Sequence, residues 1–252
     1  MNHELRQTIV EVCCGSYYDA LEAYRGGADR IELNSALVVG GLTPTTATLR
    51  LIKEKIPQLP VICMVRPRGA GFCYTKEEFE VMKAECRELL ETGADGIAFG
   101  CLKEDATLDF EKNKDLLSII KSYNKETVFH RAFDCVSDPF EVIEQLIALG
   151  VDRVLTSGLM EKAIEGADTI RSLQERYGDR IQILAGSGVN ASNAKRLIET
   201  TGIHQIHSSC KDWKMDPTTK ANGVSYSIAE GKRESMYDVV SAALVEKLMS
   251  SI

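Results

Sequence analysis

Four times along the chain a glycine and a short polar step lead into an apolar run: Gly27-Ala28-Asp29-Arg30-Ile31, Gly93-Ala94-Asp95-Gly96-Ile97, Gly150-Val151-Asp152-Arg153-Val154 and Gly202-Ile203-His204-Gln205-Ile206, at steps of 66, 57 and 52 residues. Between them lie four other β-rich runs, Ile9 to Cys13, Val61 to Arg66, Val128 to Arg131 and Ile181 to Ala185. Each run is followed by a stretch with helical spacing of its apolar residues, clearest at Phe79, Met82, Cys86 and Leu89, which share one helix face. Thr75 and Glu78 predict a capping box at the start of that helix, each side chain satisfying a backbone N–H that the first turn leaves orphaned. The repeat glycines fall where helices end, since glycine alone enters the left-handed cap without a steric penalty.

Eight strand–helix units joined by short links predict a parallel sheet with helical crossovers. Eight is the number that closes, so the expected fold is α/β, a (β/α)8 TIM barrel, with residues 1–252 as a single domain. One segment breaks the rhythm. Residues 209–235 are polar and turn-rich (Asp216-Pro217, Asn222-Gly223, Glu230-Gly231) and are expected to form an irregular loop before the last helix.

Charge narrows the partners. Lys and Arg number 30 against 37 Asp and Glu, a net charge of −7, which repels nucleic acid and anionic membranes. The start, Met1 to Gln7, is polar, and no apolar run approaches the 18 or so residues that span a membrane. A cytoplasmic protein is expected, its eight cysteines free thiols rather than disulfides. No C-x-x-C pair and no zinc-finger spacing occurs.

Barrel strands alternate inward and outward residues. With Val10, Val12 and Cys14 facing the helices, Glu11 and Cys13 turn inward; with Ile31 and Leu33 outward, Glu32 and Asn34 turn inward; Val61, Cys63 and Val65 leave Met64 and Arg66 inside. His130 and Asp134 share one parity, and Gln205 and His207 oppose Ile206. Glu11, Glu32, Arg66, His130, Asp134 and His207 therefore gather toward the C-terminal strand ends, where barrels of this kind carry their sites. Either they form a plug, with Arg66 neutralising two glutamates, or they make an acid/base pocket; burial of so many ionisable groups favours a functional ring. Gly186, Ser187 and Gly188 after the seventh run, with Ser208 after the eighth, are a candidate anion seat, because glycines let backbone N–H groups approach an anion. Thr43-Pro44 reads as a helix N-cap followed by proline at the first helical position.

The thiols divide by position. Cys14, Cys63 and Cys86 suit packing, whereas Cys13, Cys73, Cys101, Cys135 and Cys210 fall at or beyond strand C-terminal ends. A soft ion such as Cu(I) needs two or three thiolates in one small volume, and those five are the candidates.

Several segments resemble the copper homeostasis protein CutC family: Glu11-Val12-Cys13-Cys14, Gly27-Ala28-Asp29-Arg30-Ile31-Glu32-Leu33, Gly40-Gly41-Leu42-Thr43-Pro44, Arg66-Pro67-Arg68-Gly69, Phe129-His130-Arg131-Ala132-Phe133-Asp134, Arg153 to Gly158, Gly186-Ser187-Gly188-Val189 and His207-Ser208-Ser209. The resemblance implies a cytoplasmic TIM barrel, a homo-oligomer such as a dimer or tetramer, serving copper tolerance and trafficking. It implies Cu(I) ligands at thiols ending the first two strands. Cys13 matches the first, but Asn34 stands at the second. Two readings follow: a copper homeostasis protein binding Cu(I) through Cys13, or a barrel enzyme acting by acid/base chemistry on a small carboxylated or phosphorylated metabolite.

Overall fold

The structure, a computed structural model, describes residues 8–252; the polar start Met1 to Gln7 lies outside the described residues. Strands β1 (Ile9–Cys14), β2 (Arg30–Leu33), β3 (Val61–Met64), β4 (Gly96–Phe99), β5 (Glu126–Phe129), β6 (Arg153–Thr156), β7 (Gln182–Ala185) and β8 (Gln205–Ser208) pair in parallel in chain order, and β8 returns to β1 to close the barrel. The crossovers are α1 (Tyr17–Arg25), α2 (Thr46–Lys55), α3 (Lys76–Thr92), α4 (Phe110–Ser122), α5 (Pro139–Leu149), α6 (Ala167–Tyr177) and α7 (Ala194–Thr201), with α8 (Ala242–Met249) closing the layer. This is the single-domain (β/α)8 barrel that the repeat predicts.

Local signals do what their chemistry requires. Thr75 and Glu78 form the capping box of α3, which buries Phe79, Met82, Cys86 and Leu89. Gly93, Gly150 and Gly202 end α3, α5 and α7 with φ of 107°, 81° and 71°, values an L side chain resists. The cap of α2 is Thr45 rather than Thr43. Thr43 lies closer to the barrel, where its hydroxyl accepts from the Arg66 N–H at 3.0 Å and donates to Glu85 at 2.6 Å.

Strand alternation separates two cores. Val10, Val12, Cys14, Ile31, Leu33, Val61 and Cys63 face the helices in the main cluster. Inside the barrel a smaller cluster of Ile62, Met64, Ala98, Val128, Leu155 and Leu184 fills the β3–β7 side. The rest of the interior is polar. Arg153 donates to Glu126 at 3.0 Å and to Gln182 at 3.1 Å; Gln205 donates to Gln182 at 2.6 Å; Arg30 donates to Gln205 at 2.6 Å and to Glu11 at 2.5 Å.

The segment after β8 is not irregular. It rises from the barrel as β9 (Lys211–Met215), turns through the short pair β10 (Lys220–Ala221) and β11 (Val224–Ser225), and returns as β12 (Met236–Val240), antiparallel to β9. Asp19 on α1 anchors its base, one carboxylate oxygen accepting from Val240 N–H at 2.8 Å and the other from Gly15 N–H at 2.9 Å. Its strands alternate too little apolar residue to reveal themselves by periodicity; four of the five β9 residues are exposed.

Candidate functional site

At the C-terminal mouth of the barrel lies a cavity of about 520 Å³, whose lining includes Cys13, Glu32, Arg66, His130, Asp134 and His207. Register assembles one wall. Across β1 and β2, Glu11 stands opposite Arg30 and Cys13 opposite Glu32; across β1 and β8, Glu11 stands opposite His207. Inward neighbours on adjacent parallel strands are brought side by side, so residues nearly 200 positions apart meet. Ligand atoms of Cys13, Glu32 and His207 lie within 4.8 Å of one another, the cysteine half-exposed and Glu32 and His207 3% and 9% exposed.

Each member has a defined role. Glu11, 1% exposed, accepts from Arg30 on one oxygen and bonds His207 Nδ1 at 2.8 Å with the other. Burial works against its charge, but the Arg30 guanidinium and the His207 bond hold the carboxyl well below the usual range. An ionised carboxylate can only accept, so Nδ1 carries a proton and Nε2 is the ring nitrogen left for Cys13. Burial opposes protonation of His207 too, yet hydrogen bonding to Cys13 and Glu11 raises it well above 6.5. Burial pushes up both the Cys13 thiol and the Glu32 carboxyl. Asn34 bridges them, its amide donating to Glu32 Oε2 at 3.0 Å and approaching Cys13 Sγ at 3.5 Å. Gly41, at φ of 85°, lies so near that a Cβ there would meet Asn34 Oδ1 at 2.4 Å.

The other wall differs. Arg66 does not neutralise the glutamates; Glu11 is paired with Arg30 instead, and Glu32 has no salt bridge among the described residues. Arg66 instead donates to the carbonyls of Val39, Gly41 and Ala70 at 3.0, 2.8 and 2.6 Å, tying two rim loops to β3. His130 Nδ1 accepts from Ala132 N–H at 3.1 Å, and burial with the Arg66 charge lowers its pKa to about 3. Asp134 borders the cavity with its oxygens engaged, accepting from Thr156 and Ser157 hydroxyls at 2.6 and 2.9 Å, from the Ser157 N–H and from Arg131. Among the six acid/base candidates, Glu32 Oε1, Arg66 Nε and His130 Nε2 are buried without a partner. Leaving such a group unpaired costs about 1–3 kcal/mol.

Of the candidate anion seat, Ser187 and Gly188 line the cavity and Ser208 does not. Ser187 Oγ donates to Glu161 O at 2.6 Å and Ser208 Oγ to Val189 O at 2.6 Å, so both hydroxyls hold loops in place. Gly186 makes room: a Cβ would meet Leu155 at 2.7 Å and His207 Cβ at 3.3 Å. Of the five rim thiols, Cys101 and Cys210 are buried in the main core, Cys73 and Cys135 are exposed, and Cys13 is half-buried. Cys13 is the one cysteine of the ligand-type cluster found among the described residues.

Arg30 and Arg153 escaped the sequence reading as site residues because they sit in the repeat's polar step. The parity that turns Glu32 inward turns Arg30 inward too, and Val154 facing out does the same for Arg153.

Residues 8–212 match the CutC family. A CutC family protein of Treponema denticola is 43% identical over 244 residues, covering 96% of this chain and 98% of its own. A human copper homeostasis protein cutC homolog is 41% identical over 227 residues, 88% of this chain and 82% of its own. The solved structure of a CutC copper homeostasis protein from Streptococcus agalactiae superposes with a TM-score of 0.76 at 31% identity, over 80% of this chain and 98% of the other. Among the described residues no helix is long and apolar enough to cross a membrane.

Proposed function

Since the chain belongs to the CutC family, a family of copper homeostasis, we propose that it carries Cu(I) as cargo in the cytoplasm, held between Cys13 Sγ and His207 Nε2 with Glu32 as a third, weaker donor. The observation that carries this reading is the convergence of those three ligand atoms within 4.8 Å. Metal–sulfur and metal–nitrogen bonds of about 2.3 and 2.0 Å let one ion join donors about 4.3 Å apart, so a small rotamer adjustment suffices. The donor set suits the cargo: thiolate is soft and imidazole suits copper. Asn34 takes the place of a second thiol but serves as a hydrogen-bond donor to Cys13, while His207 supplies the second strong ligand. Glu11 orients that imidazole, and an outer partner of this kind is worth about 10–100-fold in metal affinity.

The test is competition for Cu(I) against bicinchoninate under reducing conditions. Cys13→Ser and His207→Gln should each weaken binding at least tenfold, Glu11→Gln should weaken it by about 10–100-fold, and the exposed control Cys73→Ser should leave it unchanged. Equal affinity in the wild type and Cys13→Ser overturns the proposal.

A further inference from the structure

The mouth is far roomier than an ion held by Cys13 and His207 requires. Its volume of about 520 Å³ falls in the range of about 300–1,000 Å³ typical of pockets for small organic molecules. Other residues, of the β3–β5 side, line the same cavity. Among them are His130 and Arg66, 2% and 6% exposed. Each has one buried nitrogen with no partner, Nε2 of His130 and Nε of Arg66. Both are donors: Nδ1 of His130 accepts from Ala132 N–H, which leaves the ring proton on Nε2, and an arginine Nε always carries one. The ring of Phe72 covers both groups, 5.0 Å from the His130 ring and 5.2 Å from the Arg66 guanidinium carbon. It belongs to the loop that Arg66 ties down through Ala70 O, and its side chain is only partly buried. Met64 and Leu155 supply apolar surface to the same cavity.

We infer that this wall is a second binding subsite, separate from the thiol–imidazole wall, for a small organic carboxylate whose anionic oxygens accept from His130 Nε2–H and Arg66 Nε–H once Phe72 turns aside, and whose apolar body rests on Met64 and Leu155. One fixed positive charge beside one neutral donor matches a monoanion. Inorganic phosphate, with no apolar body, would leave the Met64 and Leu155 surface uncovered. Two otherwise orphaned donors gain partners on binding, which is the source of affinity. Nothing in this subsite depends on a metal at Cys13.

Butyrate is the probe, with inorganic phosphate as the contrast, titrated calorimetrically into metal-free, reduced, full-length protein. The informative variant is His130→Asn: its shorter amide can keep an acceptor near the Nδ1 position for Ala132 N–H but presents no donor where Nε2–H stands. Butyrate should bind the wild type, at least tenfold more weakly the variant, and shift the His130 Nε2 resonance in long-range ¹H–¹⁵N spectra. Phosphate at the same concentrations should leave that resonance unmoved. Four outcomes overturn the inference: no butyrate binding to folded wild type, equal binding to a folded His130→Asn, a His130 resonance insensitive to butyrate, or preference for phosphate. If His130→Asn does not fold, the resonance shift in the wild type decides alone. Cu(I) competition on the same preparation distinguishes failure here from failure of the metal reading.

Discussion

His130 should make the protein sensitive to mild acid, and by a predictable amount. The ring is 2% exposed, and burial together with the Arg66 charge lowers its pKa from 6.5 to about 3. Because the folded value lies below the unfolded one, the unfolded chain takes up this proton first as pH falls. The stability tied to a neutral His130 is therefore whole above about pH 6.5 and erodes down to about pH 3. Each unit of pH within that window is worth about 1.4 kcal/mol. Between pH 7 and pH 5 the loss integrates to about 2 kcal/mol. Glu32 and His207 titrate in neighbouring windows with their folded values raised, so the measurement is a difference of differences. Thermal unfolding of wild type and His130→Asn is compared at both pH values, and everything the two proteins share cancels. For a chain of this length about 2 kcal/mol corresponds to about 4–8 °C. The wild type should lose that much more melting temperature than the variant on going from pH 7 to pH 5. Parallel losses in the two proteins would refute a buried neutral imidazole at this position.

Three further outcomes follow from contacts away from the metal wall. Asp134→Asn replaces an acceptor-only carboxylate by an amide whose N–H₂ faces the donors of Ser157 and Arg131; a loss of about 1–3 kcal/mol is expected, and a melting temperature within a degree of wild type would contradict it. Gly100→Ala puts a Cβ 2.7 Å from His130 Cε1 and 2.8 Å from Nδ1, so the ring must move, at a cost of about 1–3 kcal/mol; unshifted His130 imidazole resonances would show that it does not. Asp19→Ala removes the acceptor of both Gly15 and Val240 N–H groups, costing about 2 kcal/mol, and should expose 211–240 to limited proteolysis while the barrel stays intact; resistance equal to wild type would show that Asp19 is not the anchor.

The barrel was legible because its signal is local and repeated: glycine caps, apolar alternation and helical stripes each act within one unit. Parity alone also turned Glu11, Cys13, Glu32, Asn34 and His207 inward, and those residues form one wall. What parity cannot supply is register between strands distant in the chain. Cys13 and His207 become neighbours through the β1–β8 closure, which pairs Glu11 with His207, and nothing near either residue encodes that pairing. The partner of the Glu11 charge was hidden for a related reason. Arg66 looked suited to the task, but the carbonyls of two rim loops engage its guanidinium, while Arg30 is Glu11's neighbour in register. Cys101 and Cys210 lie near strand ends but are buried in the core, since a thiol's orientation depends on the loop that follows the strand.

The polar half of the interior explains why the metal wall can be held in one geometry. A buried carboxylate without partners would cost several kcal/mol, and Glu11 escapes this through Arg30 on one oxygen and His207 on the other. Arginine has donors alone, so the direction of every bond in the chain is forced: Gln205 turns its carbonyl to Arg30 and its amide to Gln182, and Gln182 turns its carbonyl to Gln205 and Arg153. With Glu126 closing the far end on Arg153, no member can reverse without setting two donors against each other. The one remaining freedom is at Glu11 Oε1, which can only accept, and His207 Nδ1 meets it at 2.8 Å. The orientation of the proposed metal-binding imidazole is thus dictated from the opposite end of the barrel, by residues that never touch the cavity.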